Sequence, residues 1–190
     1  MAMSRHYLLV LLLLLSPSLY AREIAGVHLA DSISIGGQTL SLNGAGIRSK
    51  FVFDIYVGAL YLTTKTSDAK QAINMAGPKR ISMHFLYDEV EKEKLTDGWT
   101  DGFENNIDEK SFNALKPRLA EFNKLFVTVK KGDVIILDYT PQQGTSVTIN
   151  GQLKGKVTGA DFNQALLKVW LGNEPADEDL KEGMLGSQNI

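Results

Sequence analysis

Residues 42–62 read LNGAGIRSKFVFDIYVGALYL, and their reading decides the fold. Three features follow one another: a glycine-rich segment at Gly44 and Gly46, a single arginine at Arg48, and a long apolar run. From Phe51 to Leu62 the only charged residue is Asp54. Such a run predicts a central strand over residues 50–64, buried on both faces. The glycines predict a turn that delivers Arg48 to the mouth of that strand, and Gly58 predicts a bulge or bend within it. A cation at the start of a buried strand needs a partner, because an unpaired buried charge is costly. If the strand is regular, Arg48, Asp54, Tyr56, Leu60 and Leu62 share one face. Two readings of Arg48 stay open. It pairs with Asp54 or with loop carbonyls, or its planar fork holds a carboxylate inside an apolar cleft, with Tyr56 adding a hydroxyl donor.

Outward from this stretch, turns and periodicities place the other elements. Segments 32–35 and 39–42 alternate around Gly36-Gly37 as a hairpin, and Asn150-Gly151 joins strands 145–149 and 152–157 in another. Strands are also expected over 80–87 and 133–140. Ser67 is positioned to cap a short helix over 68–76, ended by Gly77-Pro78. Leu95, Trp99, Phe103 and Asn106 share a helical face. A further helix carries Leu115, Leu119, Phe122 and Phe126, with Pro117 expected near its start. Residues 161–171 return to helix, with Gly172 as its C-cap, and 177–184 form a last short one. Hairpins outnumber strand–helix–strand units, so the expected class is α+β: a large antiparallel sheet with a helical layer on one side.

The 190-residue chain is expected to hold a signal peptide at 1–21 and a single domain at 22–190. Arg5 precedes the apolar run at 8–15, Ser16-Pro17-Ser18 breaks it, and Ala21 offers a small residue for cleavage. Eight apolar residues are too few to span a bilayer, which takes roughly 20. The mature chain is therefore expected in the periplasm or secreted, with no stable membrane span. It has no cysteine for a disulfide and no N-x-Ser/Thr acceptor, which favours bacterial periplasm. Without Arg5, 19 basic residues face 22 acidic ones, a net charge of −3, which argues against nucleic acid as a partner.

Catalytic signatures are sparse. His28 and His84 fall on different strands and, without cysteines, make no zinc set. There is no nucleophile elbow and no phosphate-binding loop, and no cofactor motif is expected. The acidic run Asp88, Glu89, Glu91, Glu93 reads as a solvated helix start. Trp99 and Phe103 are either core or the lining of a pocket. Asn106 is either a helix-terminal residue or a polar group facing that pocket.

The segments GAGIRSKFVFDIYVGALYL, WTDGFENN, FNKLF, VKKGDVIILDYTPQQGTSVTINGQLKG, DFNQALLKVWLG and NEPADEDLKEGMLG together resemble the bacterial, exported chalcone isomerase-like proteins, over nearly all of the mature chain. The resemblance implies an open-faced β-sandwich with a ligand cleft between sheet and helices. In the plant isomerases of this family an arginine on the Gly-x-Arg segment stabilises the oxyanion of a closing chalcone, and Arg48 matches it. A strand threonine and a helix tyrosine there arrange a water, and a helix asparagine contacts substrate. Asn106 fits the asparagine, but Trp99 stands at the tyrosine position and Tyr56 near the threonine. Indole donates and does not accept, so the water-orienting pair is absent or rebuilt. Related non-catalytic proteins of the fold bind fatty acids through an arginine and a tyrosine, which Arg48 with Tyr56 resembles. The expected function is thus binding of a small lipophilic anion such as a fatty acid, with Arg48, Tyr56, Trp99, Phe103 and Asn106 as ligand-binding residues. The alternatives are a chalcone isomerase-type intramolecular lyase using Arg48, and an interaction protein whose cleft is filled by its own side chains.

Overall fold

Pairing within the stretch 42–62 organises the sheet, and the turn falls later than the glycines. In the computed structural model, which describes residues 21–187, Gly44 and Gly46 lie inside a 13-residue strand, and the chain reverses at Phe51-Val52. Phe51 takes the left-handed conformation there, φ 58°. The segment read as a signal peptide lies, but for Ala21, outside the described residues.

The elements in order are β1 (Ala21–Ile24), β2 (Val27–Ala30), β3 (Ser32–Ile35), β4 (Gln38–Lys50), β5 (Phe53–Leu62), α1 (Ala69–Asn74), β6 (Lys79–Phe85), β7 (Glu89–Val90), α2 (Lys92–Asn106), α3 (Glu109–Lys124), β8 (Val129–Lys130), β9 (Val134–Thr140), β10 (Gly144–Ile149), β11 (Gln152–Val157), α4 (Ala160–Leu171) and α5 (Glu178–Met184). Seven strands form one antiparallel sheet in the order β11-β10-β9-β6-β5-β4-β3; β1-β2 form a separate hairpin, and β7-β8, which α2 and α3 separate in sequence, a further two-stranded pair. The class is α+β, as expected.

β5 is buried on both faces, and the alternation of its side chains shows how. Tyr56, Leu60 and Leu62 enter the main core beneath the helices. Val57, Ala59 and Tyr61 enter a second core on the opposite face, closed by Ile24 and Leu29 of the β1–β2 pair. One strand thus serves two cores, which explains its near-continuous apolar character.

The glycines serve packing. A Cβ on Gly44 would lie 2.2 Å from the Gly183 carbonyl oxygen and 2.7 Å from the Gly186 nitrogen. A Cβ on Gly183 would meet the Ala45 oxygen at 2.7 Å and the Gly46 Cα at 2.9 Å. Helix α5 therefore rests on β4 at backbone distance, which only glycine permits. Gly58 does not bulge: it pairs regularly with Gly46 and Met83, and Leu180 occupies the space beside it. The irregularities fall opposite β5, at Leu42/Gly44 and Arg48/Ser49.

Other expectations shift in detail. Asp68, not Ser67, caps α1, accepting from the Gln71 amide at 2.8 Å. Asp108 caps α3 by accepting from Ser111, which starts that helix well before Pro117 and leaves the proline in its interior. Glu89-Val90 pairs with β8 rather than opening a helix. The turns at Gly36-Gly37 and Asn150-Gly151 are as expected, all four residues having positive φ.

Gly44→Ala should lower stability by about 3 kcal/mol, because the methyl group meets backbone that cannot swing aside. Gly98→Ala, on α2 with nothing within 4 Å of the added carbon, should instead gain up to about 1 kcal/mol from helix propensity. Urea unfolding of the two variants checks this, and equal midpoints would contradict the packing role.

Candidate functional site

Arg48 stands directly opposite Tyr56 across the β4–β5 ladder, which places both on the helix-facing side. Immediately after Arg48 the register breaks, and the freed Ser49 amide donates to Asp177 Oδ2 at 3.0 Å. Asp177 is also the N-cap of α5, its Oδ1 accepting from the Leu180 amide at 2.8 Å. One carboxylate therefore ties the end of β4 to the start of α5.

The Arg48 guanidinium carbon lies 5.7 Å from the Tyr56 ring centroid, within cation–π range. Arg48 is half-buried, and its Nε is buried without a hydrogen-bond partner. Of the readings left open for Arg48, the pairing with Asp54 is not formed. Asp54 instead accepts from Ser49 Oγ at 2.9 Å, opposite it in the shifted register.

Beneath Arg48, Tyr56 is almost fully buried, and its hydroxyl accepts from Trp170 Nε1 at 2.9 Å. Burial pushes the Tyr56 pKa upward, and the nearby Arg48 charge and the Trp170 hydrogen bond partly offset this. Trp170 packs against Trp99 at 5.4 Å between centroids, and Trp99 against Phe126 at 5.4 Å and Phe122 at 6.2 Å. Phe103 meets Phe162 at 5.4 Å. Trp99 and Phe103 thus belong to a packed aromatic interior. The Trp99 Nε1 is buried there without a partner.

Above this interior, Arg48 opens onto a cleft of about 560 Å³ between β4–β5, the β7 strap and α2. Ile55, Val90 and Leu95 supply its apolar surface, with Tyr87 at the edge. Lys50 and Lys94 line it together with Glu89, Glu91, Asp97 and Asp101. Sequence reasoning missed this wall. The spacing of Lys94, Asp97, Gly98 and Asp101 marks a second face of α2, beside the aromatic one, and would have pointed to it.

Asn106 is placed elsewhere. Its Nδ2 donates to the carbonyls of Gly102 and Glu174 at 3.0 and 2.7 Å, and its Oδ1 accepts from the Glu174 amide at 2.9 Å. The side chain holds the connection between α4 and α5, and it borders a different cavity, of about 640 Å³, between α1, α3 and α4. Of the five residues singled out in the sequence, the structure brings Arg48 and Tyr56 together, places Trp99 and Phe103 in the core below, and sets Asn106 apart. Among the described residues no cluster of histidines or carboxylates could hold a metal ion, and no helix is long and apolar enough to cross a membrane.

Residues 21–186 match the model of a family described as chalcone isomerase-like. Among solved structures, a fatty-acid binding protein of Arabidopsis thaliana matches with a TM-score of 0.68, covering 85% of this chain and 93% of its own, at 17% identity. At that identity the likeness speaks for the fold. A search of curated proteins returned no match.

The raised Tyr56 pKa has a consequence for stability. A neutral phenol is favoured in the folded state, so its contribution is complete below the ordinary tyrosine value of about 10 and is lost as pH rises through the higher folded value. Tyr56→Phe leaves the Trp170 indole without its acceptor and should cost about 1–2 kcal/mol at neutral pH. That difference from wild type should shrink above pH about 10, where only wild type gains from ionising its unfolded state. Chemical unfolding at several pH values checks this, and a constant difference would contradict it.

Proposed function

The chain belongs to the chalcone isomerase-like family, and we propose that it is a non-catalytic member that binds a lipophilic monoanion, such as a fatty acid, in the cleft at Arg48. The observation that carries this reading is the orphaned Arg48 Nε, buried beside Tyr56 at the edge of a cleft with an apolar surface. A carboxylate bound there supplies the acceptor that the protein does not. Ile55, Val90 and Leu95 offer a track for the tail. Glu89, Glu91, Asp97 and Asp101 around the same cleft disfavour a polyanion, so a single charge on a long apolar body is the best match. The similar Arabidopsis thaliana structure is described as a fatty-acid binding protein, which agrees with this choice.

Catalysis on a chalcone-like substrate fits less well. By the resemblance Trp99 stands where the plant isomerases carry a helix tyrosine, and its indole is sealed in the aromatic interior. Tyr56 is nearly inaccessible, and its oxygen is engaged with Trp170. The ligand would be met outside the cytoplasm, since residues 1–21 have the makeup of a secretory signal peptide. A second reading, an interaction protein without a small ligand, draws support from the packed aromatic cluster that fills the interior below Arg48.

Native mass spectrometry of the protein purified without denaturant tests the proposal. Wild type should carry fatty acid, and Arg48→Ala should carry at least about tenfold less, as expected when a charge-assisted hydrogen bond worth about 1.5–3 kcal/mol is removed. A lipid-free wild type, or an equal load on the variant, would sink the reading in favour of an interaction protein. Added chalcone should show no Arg48-dependent loss of absorbance.

A further inference from the structure

A row of polar side chains crosses the main sheet at the end far from Arg48. Lys79 on β6 pairs with Tyr139 on β9, and Tyr139 with Thr145 on β10. Asn163 on α4 faces them, its Nδ2 donating to Thr145 Oγ1 at 3.2 Å. All four are buried, with relative exposures of 4% for Lys79, 6% for Tyr139, 0% for Thr145 and 5% for Asn163. Lys79 and Asn163 are among the five buried polar or charged residues of the described chain, and they face the same space.

The protein leaves Asn163 incompletely partnered and offers Lys79 no carboxylate in this space. The Lys79 ammonium lies over the Tyr139 ring, 5.1 Å from Nζ to centroid. The Asn163 Oδ1 is buried without a hydrogen-bond partner. Both side chains line a cavity of about 220 Å³ between the sheet, the end of α1 and the start of α4. That volume is far above the ~10–15 Å³ that one water requires. Among the described residues lining it, Lys79 and Tyr139 are the only titratable ones; Asn74 on α1 and Gln164 on α4 are neutral, and no carboxylate is present. Lysine is almost never this buried without an anionic partner. Burial pushes its pKa down from 10.5 to about 8, so it still carries its proton at neutral pH.

We propose that Lys79 and Asn163 form a second binding site, for a small oxyanion that also bears a hydrogen-bond donor, of the hydroxy-carboxylate class. Lys79 Nζ donates to the anionic oxygens. Asn163 Oδ1 accepts from the hydroxyl. The cavity has room for a small organic anion. The site is separate from the Arg48 cleft: Tyr56, opposite Arg48, pairs with Phe85 at the far end of β6, six residues from Lys79, or about 20 Å along the strand. It stands independently of the ligand assigned to that cleft.

Calorimetric titration of the native protein with lactate, acetate and inorganic phosphate tests the proposal. Lactate should bind more tightly than acetate, and its affinity should fall about tenfold per pH unit above the Lys79 pKa, as the ammonium is lost. Lys79→Met should weaken lactate at least tenfold while keeping or raising the melting temperature, since it replaces an uncompensated buried charge by an apolar chain. Asn163→Leu, which keeps Lys79, should remove the preference for lactate over acetate. Arg48→Ala should bind lactate as wild type does, which separates a failure here from a failure at the Arg48 cleft. Lactate binding to wild type weaker than about 10 mM, or undiminished in Lys79→Met, or lost equally in Arg48→Ala, would overturn the assignment.

Discussion

The contact between β4 and α5 is made by backbone, and much of the molecule's arrangement follows from it. With Gly44 and Gly46 on the strand and Gly183 on the helix, the two elements meet without intervening side chains. The helix is thereby fixed in height above the sheet. Its N-cap Asp177 reaches the Ser49 amide, and Leu180 fills the space over Gly58 beside Tyr56. Asp177 thus stabilises the register break that follows Arg48. A methyl group on Gly44 or Gly183 would lift α5 and loosen the backing of Arg48 at the same time.

Arg48, Tyr56 and Trp170 form a short vertical series: a cation over an aromatic ring, and a ring hydroxyl hydrogen-bonded to an indole. Each contact is modest. Together they tie β4, β5 and α4 through groups that lie where apolar side chains would otherwise pack. The polar row at the other end of β6 behaves differently. There Lys79 and Asn163 lack full complements of partners and face open volume. Buried polar groups that are mutually satisfied hold layers together, whereas those left unsatisfied mark places where something else completes them.

Much of the fold was legible because it rests on local signals. Gly36-Gly37 and Asn150-Gly151 take the positive φ values that hairpin turns need, and 161–171 shows helical periodicity on a strongly apolar face. Two-sided burial of β5 was legible from its lack of polar alternation. What local reading missed depends on distant partners. The glycines near Arg48 looked like a turn, because their packing partner Gly183 lies about 140 residues away. Pro117 looked like a helix start, whereas Asp108 caps the helix well before it and leaves the proline inside. Arg48 and Tyr56 were grouped as same-face residues of one strand, whereas the structure brings them together across two, because the chain reverses at Phe51-Val52. Asn106 was not legible as a loop tether, because the connection it holds is folded back onto α2 only in three dimensions. Lys79 carried no signal in the sequence, because its burial depends on α4, far along the chain.

The two tryptophans of the chain, Trp99 and Trp170, are neighbours, with centroids 5.4 Å apart at 52° between planes. All indole emission of the protein therefore originates in one spot, where α2 meets α4 above Tyr56. At that spacing the two rings act as an electronically coupled chromophore pair. The molecule thus contains a single-site optical gauge of how closely α2 and α4 pack, with no label attached.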